Sequence, residues 1–222
     1  LLGFSDRQLT WHGHWSDEQT EIVLAATLSE AAQRLNSQKP GNGWPALVMV
    51  TDAARLPDPV AAAAQMPRGS AVLLRDYQHP DRVALAQSLR QVCRARGLEF
   101  WVAGDVGLAL LVAADGIHFP EQQVRHSGAW RRPKPNMRMT AAVHSKPALV
   151  RAAAACVDAV FLSPVFETAS HPGARTLGAV RFAGLVRESR LPVYALGGIT
   201  TGSARRLYQS GAVGLAAISA FR

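Results

Sequence analysis

From Ala46 onward the chain repeats one pattern: a short apolar run, a polar break, then a segment with apolar positions at helical spacing. The apolar runs are Ala46–Thr51, Ala71–Arg75, Phe100–Ala103, Gly116–Phe119, Met137–Ala142, Ala159–Leu162, Val193–Leu196 and Gly214–Ile218. They do not alternate apolar with polar positions, so each is predicted to be a strand buried on both faces. Helices are predicted between them over Pro59–Gln65, Asp81–Arg96, Asp105–Ala113, Ser145–Ala155, Gly178–Ser189 and Ser203–Gln209. In Asp81–Arg96, Leu85, Leu89, Val92 and Cys93 share one face. Pro120–Pro135 reads as irregular, with at most a helical turn.

Eight such strands, with helices between them and no glycine-rich fingerprint after the first, predict a (β/α)8 TIM barrel over a doubly wound sheet. Upstream, Ser16 and Gln19 form a capping-box start, and Asp17 and Glu18 suit the positive end of a helix dipole. A helix to about Asn36 follows, with Val23, Leu24, Leu28, Ala31, Ala32 and Leu35 on one side. Gln38–Pro45 is a breaker-rich linker. The expected organisation is an N-terminal extension with an amphipathic helix over 1–44 and the barrel over 45–222. The extra helix is expected to lie against the barrel between the first and eighth strands, or to close its end. The sequence runs to Arg222, just past the eighth strand, so no full C-terminal eighth helix is expected.

Composition narrows the class. Within 222 residues, no apolar run approaches the ~18 residues of a membrane span. Residues 1–15 lack the basic start and apolar centre of a signal peptide; Trp11, His12, His14 and Trp15 read as an aromatic plug. Cys93 and Cys156 stand far apart with no CxxC, which fits a reducing cytoplasm and argues against a zinc framework. Each is expected to be a small core residue on a helix. The formal charge is +8 and comes almost wholly from arginine, the lysines being Lys39, Lys134 and Lys146. Those arginines are scattered through alanine-rich helices; the one tight cluster is Trp130-Arg131-Arg132-Pro133-Lys134. Neither nucleic acid nor a membrane is therefore the expected partner. A phosphorylated small molecule fits, because arginine binds phosphate in bidentate fashion.

In a barrel of this kind the chemistry sits at the carboxyl ends of the strands. The loop after the sixth strand, within Asp158–Gly178, carries Ser163, Thr168, Ser170, His171 and Arg175, a set suited to an anion. After the seventh strand, Gly197 and Gly198 allow close backbone approach to a phosphate, and Ser219 follows the eighth. His144 ends the fifth strand just before a helix, a position that favours a neutral imidazole able to exchange protons. His118, inside the fourth strand, reads as a buried, hydrogen-bonded residue as readily as a functional one. Arg75 needs a partner, either a substrate anion or Asp52 and Asp105 on neighbouring strands. Asp105 and Glu121 are the nearest approach to a magnesium site, and neither has a second carboxylate beside it in sequence, so no metal and no cofactor is expected.

Several of these segments together resemble the thiamine phosphate synthase and TenI-like superfamily. They are VMVTD at 48–52, LLRDY at 73–77, DVGLALLVAADGIHFPEQ at 105–122, SPVFETASHPGARTLG at 163–178 and LPVYALGGIT at 191–200. The resemblance implies a barrel that binds a thiazole phosphate, and members are commonly dimers, so a homodimer is an expectation. The synthase joins an aminopyrimidine pyrophosphate to the thiazole phosphate with magnesium. Its Gln-x-Arg-Glu-Lys strand reads Leu73, Arg75, Asp76 and Tyr77 here, and its Asn-Asp metal segment reads Ala103-Gly104 before Asp105. Its second metal carboxylate falls on Gln123, and the lysine of its pyrophosphate loop on His171. TenI-like relatives keep the barrel without that machinery, and one of their activities is thiazole tautomerisation. Their histidine segment is matched by Val143-His144-Ser145, and their V-F-E-T run by Val165–Thr168.

The resemblance thus implies a metal-independent isomerase, with His144 moving the proton. Arg75, Thr168, Ser170 and His171 would contact substrate, and Gly197, Gly198 and Ser219 would hold the phosphate. The alternatives left open are a divergent thiamine phosphate synthase and a non-catalytic thiazole or thiamine phosphate-binding protein.

Overall fold

The computed structural model describes residues 28–37, 43–125, 131–168, 173 and 175–221. The aromatic segment at 1–15, the Ser16 cap, Ser170 and His171 lie outside the described residues.

Helical residues 28–36 (α1) precede an alternation of strands and helices. The strands are β1 (Leu47–Val50), β2 (Ala71–Leu74), β3 (Glu99–Ala103), β4 (Gly116–Phe119), β5 (Arg138–Val143), β6 (Ala159–Leu162), β7 (Val193–Leu196) and β8 (Gly214–Ala217). The helices are α2 (Pro59–Ala64), α3 (Arg82–Arg96), α4 (Val106–Leu111), α5 (Glu121–Arg125), α6 (Lys146–Ala154), α7 (Gly178–Glu188) and α8 (Thr201–Ala204). Short 3-10 turns follow α8 and β8. All eight strands pair in parallel with their sequence neighbours, and β1 pairs with β8, so the barrel is closed.

The absence of alternation in the strand sequences has its physical reason in this closure. Val48, Val50, Leu73, Trp101, Phe161 and Tyr194 fill the barrel interior. The intervening residues, such as Leu47, Met49, Val72 and Phe100, pack outward under the helices. Trp44, Trp101, Phe161 and Tyr194 plug the barrel core, with Phe161 and Tyr194 stacked at 4.8 Å and the other pairs meeting edge to face at 6.1 to 6.2 Å. The tyrosine hydroxyl reaches the Pro45 carbonyl at 2.7 Å, which pays its burial cost. Polar side chains set the helix starts: Asp58, Asp81, Asp105, Ser145 and Thr200 each cap a helix that follows a strand.

α1 packs into this core through Leu28, Ala31, Ala32 and Leu35, all at most 3% exposed. Asn36 Nδ2 donates to the Val213 carbonyl at 2.6 Å, just before β8. Arg34 lies over the Tyr208 ring, 4.5 Å from its centroid. The helix therefore lies against the flank of the barrel at β8. One expectation is corrected: Cys93 is buried on α3, but Cys156 is exposed beyond the end of α6. It stands at φ 59°, so it terminates the helix and does not fill the core.

Candidate functional site

A cavity of about 690 Å³ opens at the carboxyl ends of the strands. Its lining brings together Arg75, His144, Ser163, Thr168, Gly197, Gly198 and Ser219. Arg175, named with the loop after the sixth strand, is exposed and does not line it.

His144 follows β5 directly. Its Nδ1 lies 2.8 Å from the Ser163 carbonyl oxygen and 3.2 Å from the Ser163 hydroxyl. A carbonyl can only accept, so Nδ1 carries a proton and Nε2 is the nitrogen left to exchange one. The His144 backbone N–H donates to Glu121 Oε2 at 3.0 Å, and Arg151 donates to Glu121 Oε1 at 3.2 Å. The histidine is thus held from β6 through its ring and from α5 through its backbone.

Across the cavity, Arg75 and Arg55 both pair with Oδ2 of Asp52, the Arg55 contact being 2.6 Å. Burial raises the Asp52 pKa, but the hydrogen bond and charge of Arg55 and the charge of Arg75 outweigh it and hold the carboxyl below its ordinary value. The Arg75 backbone N–H donates to Thr51 Oγ1 at 3.0 Å, which fixes where the side chain leaves β2. Arg75 keeps about a third of its side chain exposed, at 32%, and still faces the cavity. Of the two carboxylates expected to neutralise it, Asp52 does so, whereas Asp105 caps α4 and lies by Arg82.

His118 forms part of the cavity floor. Its Nδ1 lies 2.9 Å from Thr140 Oγ1, and its ring meets Phe161 edge-on at 4.8 Å. Burial, reinforced by the Arg75 charge, lowers its pKa from 6.5 to about 3, so it stays neutral. Gly197 and Gly198 turn back against the loop after β6, with φ of 95° and 65°. Val165 N–H donates to Leu196 O at 2.9 Å and Phe166 N–H to Gly197 O at 3.0 Å, so the two loops form one wall. Ser219 is exposed beside it, at the start of the 3-10 turn after β8.

The residues present do not fit the magnesium that a synthase of the resembled family would use. Asp105 Oδ1 accepts the Leu108 N–H at 2.8 Å, and its other oxygen is 3.6 Å from Arg82. Gln123 is a neutral amide that donates to the Gly104 carbonyl. Among the described residues no three His, Cys, Asp or Glu side chains gather as a metal site would need. One contributor was not singled out in the sequence: Arg55, in the turn after β1, was signalled only by being a cation just past a barrel strand. Ser163 was named there for its hydroxyl, but it also acts through its backbone carbonyl, which no side-chain pattern reveals.

Fold and cavity together define a (β/α)8 barrel of the kind that handles small ligands at the strand carboxyl ends. Residues 47–221 match the family described as Thiamine monophosphate synthase. The chain is 35% identical over 152 residues to the "Putative thiamine-phosphate synthase 2" of Aquifex aeolicus, covering 68% of this chain and 81% of that protein. It is 34% identical over 142 residues to the thiamine-phosphate synthase of Anoxybacillus flavithermus, covering 63% of this chain and 65% of that one. Among solved structures, thiamine phosphate pyrophosphorylase from Pyrococcus furiosus superposes with a TM-score of 0.65 at 28% identity, over 80% of this chain and 87% of that one. The chain belongs to the thiamine monophosphate synthase family. No helix of the described residues is long and apolar enough to cross a membrane.

Proposed function

We propose that this protein is a TenI-like member of the family that moves a proton on a carboxythiazole phosphate in thiamine biosynthesis. The observation that carries this reading is the hydrogen bond from His144 Nδ1 to the Ser163 carbonyl, which leaves Nε2 as a base on the cavity wall. The phosphate would rest on the Gly197–Gly198 turn and Ser219, at the strand-seven and strand-eight loops favoured by this architecture. Arg75, across the cavity, would face the carboxylate, and Thr168, with Ser170 and His171, would contact the substrate. Nε2 takes a proton from one carbon, the electron pair moves through the conjugated system, and that ring nitrogen, which faces the cavity and exchanges with solvent, delivers a proton to another carbon. Nothing is gained or lost, so no co-reactant is needed. A cytoplasmic setting and a homodimer belong to the same reading; two free cysteines are consistent with the former.

A second reading, a thiamine phosphate synthase, is favoured by the names of the relatives. Incubating the protein with the carboxythiazole tautomer, and separately with the aminopyrimidine pyrophosphate, thiazole phosphate and Mg²⁺, separates the two. Aromatisation of the first without product from the second is the expected result. Thiamine phosphate formation would replace the proposal with the synthase. Binding of either substrate without turnover would make the protein a carrier.

A further inference from the structure

The cavity wall across from His144 is built on the ends of β1 and β2, which pair in parallel. The turn after β1 closes on Asp52: the Arg55 and Leu56 N–H groups donate to its carbonyl at 3.0 and 2.8 Å. That closure carries the Arg55 side chain back to the Asp52 carboxylate, where Nη2 donates to Oδ2 at 2.6 Å. Nη2 of Arg75, from the neighbouring strand, donates to the same oxygen. Two guanidinium heads that meet on one atom stand side by side, within about twice a hydrogen-bond length of each other.

The carboxylate lies behind them. Arg55 and Arg75 both line the cavity, and Asp52 does not. The Arg55 side chain is only 14% exposed, so its guanidinium is held in place and is not a loose surface cation. Asp52 therefore orders both arginines before a ligand arrives, and little of their rotamer freedom remains to be lost on binding. The planar N–H fork of a guanidinium matches the two oxygens of a carboxylate. A ligand carboxylate that reaches Arg75 is also within reach of Arg55.

We infer that Arg55 is a second binding residue for the ligand's carboxylate, gripping it beside Arg75, and that Asp52 is the positioning residue that sets both guanidiniums. The inference rests on the reading, given above, that this carboxylate lies at Arg75. NMR titration of the full chain with thiazole-2-carboxylate, with uncharged thiazole and with inorganic phosphate tests it, and the dispersed amide spectrum reports in the same samples that each variant is folded. The parent chain should bind the carboxylate about tenfold tighter than thiazole. Arg55→Gln should remove most of that preference and leave phosphate affinity within about twofold. Should that variant not fold, Arg55→Lys, which keeps a cation for Asp52 but lacks the fork, takes its place with the same limits. Asp52→Asn removes a negative charge, which by charge alone would tighten an anion. Loss of positioning should instead weaken the carboxylate by about threefold or more. A parent chain with no preference for the carboxylate overturns the Arg75 reading and this inference with it. A parent preference that survives in the Arg55 variant overturns the inference alone. Loss of phosphate affinity in place of carboxylate affinity does the same, by assigning Arg55 to the phosphate. Unchanged or tighter carboxylate binding in Asp52→Asn overturns the positioning role.

Discussion

His144 Nδ1 sits 2.8 Å from the carbonyl oxygen of Ser163, across the β5–β6 seam. The bond fixes the tautomer through a backbone atom, which no side-chain substitution at position 163 removes. The histidine side chain is exposed at the cavity, so its loss leaves the core intact. His144→Ala should lower proton exchange on the carboxythiazole phosphate by ~10²-fold or more, while the affinity for inorganic phosphate stays within about twofold. Solvent-deuterium incorporation followed by NMR reads the first quantity, and calorimetry the second. Unchanged exchange would remove His144 from the chemistry. Ser163→Ala, which keeps the carbonyl, should cost far less.

The glycine pair makes a second prediction, about stability. A Cβ on Gly198 would lie 2.3 Å from the Glu167 carbonyl oxygen and 2.7 Å from Phe166 Cβ, on a backbone already at φ 65°. Gly198→Ala should therefore destabilise by more than the ~1–3 kcal/mol of a left-handed backbone alone, and displace the loop after β6. Gly202→Ala is the control: its Cβ would meet only Thr200 Oγ1, at 3.9 Å. That change sits on α8 and should be neutral or stabilising by roughly 0.5–1 kcal/mol. Urea midpoints at constant slope measure both.

These two sites show how differently parts of the molecule were legible. The strands could be read because a closed barrel buries both faces of each, and β4, β6 and β7 have the predicted bounds. Helix starts were legible where a capping side chain marks them, as at Asp81 and Ser145. The positions of His144 and the glycine pair followed from strand order. The Arg75–Asp52 pair could be read from strand neighbourhood, but the Tyr77–Gly104 contact and the sharing of Asp52 with Arg55 were not legible, because those partners meet only through the local course of the turns. Cys156 was misread because its small apolar side chain was assigned to the core although the predicted helix ends at Ala155; it stands exposed in a left-handed residue just beyond α6.

Acid sensitivity follows from His118. Its folded pKa, about 3, lies below the ordinary value of 6.5, so the unfolded chain binds the extra proton first. Its contribution is fully present above about pH 6.5 and is lost as pH falls toward 3, with a slope approaching about 1.4 kcal/mol per unit. Asp52 and Asp158, both held below 3.8, add their loss only as pH falls below that value. The interval from about pH 6 to 4.5 therefore isolates the histidine. His118→Gln, which retains a hydrogen-bonding group for Thr140, should flatten the stability slope there by about one proton. Urea unfolding at several pH values checks it, and an unchanged slope would mean that another group titrates.

Helix α1 is the remaining element, and it bears on whether the barrel stands alone. Leu28 and Leu35 are fully buried, and Asn36 bonds the Val213 carbonyl at the entrance to β8. Those contacts cover apolar surface that the barrel would otherwise expose to water. Leu35→Ala should cost about 2–5 kcal/mol, the range for a leucine deleted from a tight core. Asn36→Ala should cost about 1–3 kcal/mol, because it leaves the Val213 carbonyl without that donor. Removing residues 1–40 should give an insoluble or far less stable chain. A truncated chain with the parent's urea midpoint and phosphate affinity would show that α1 only decorates the barrel, whereas a lowered midpoint with an unchanged slope would make it part of the same cooperative core.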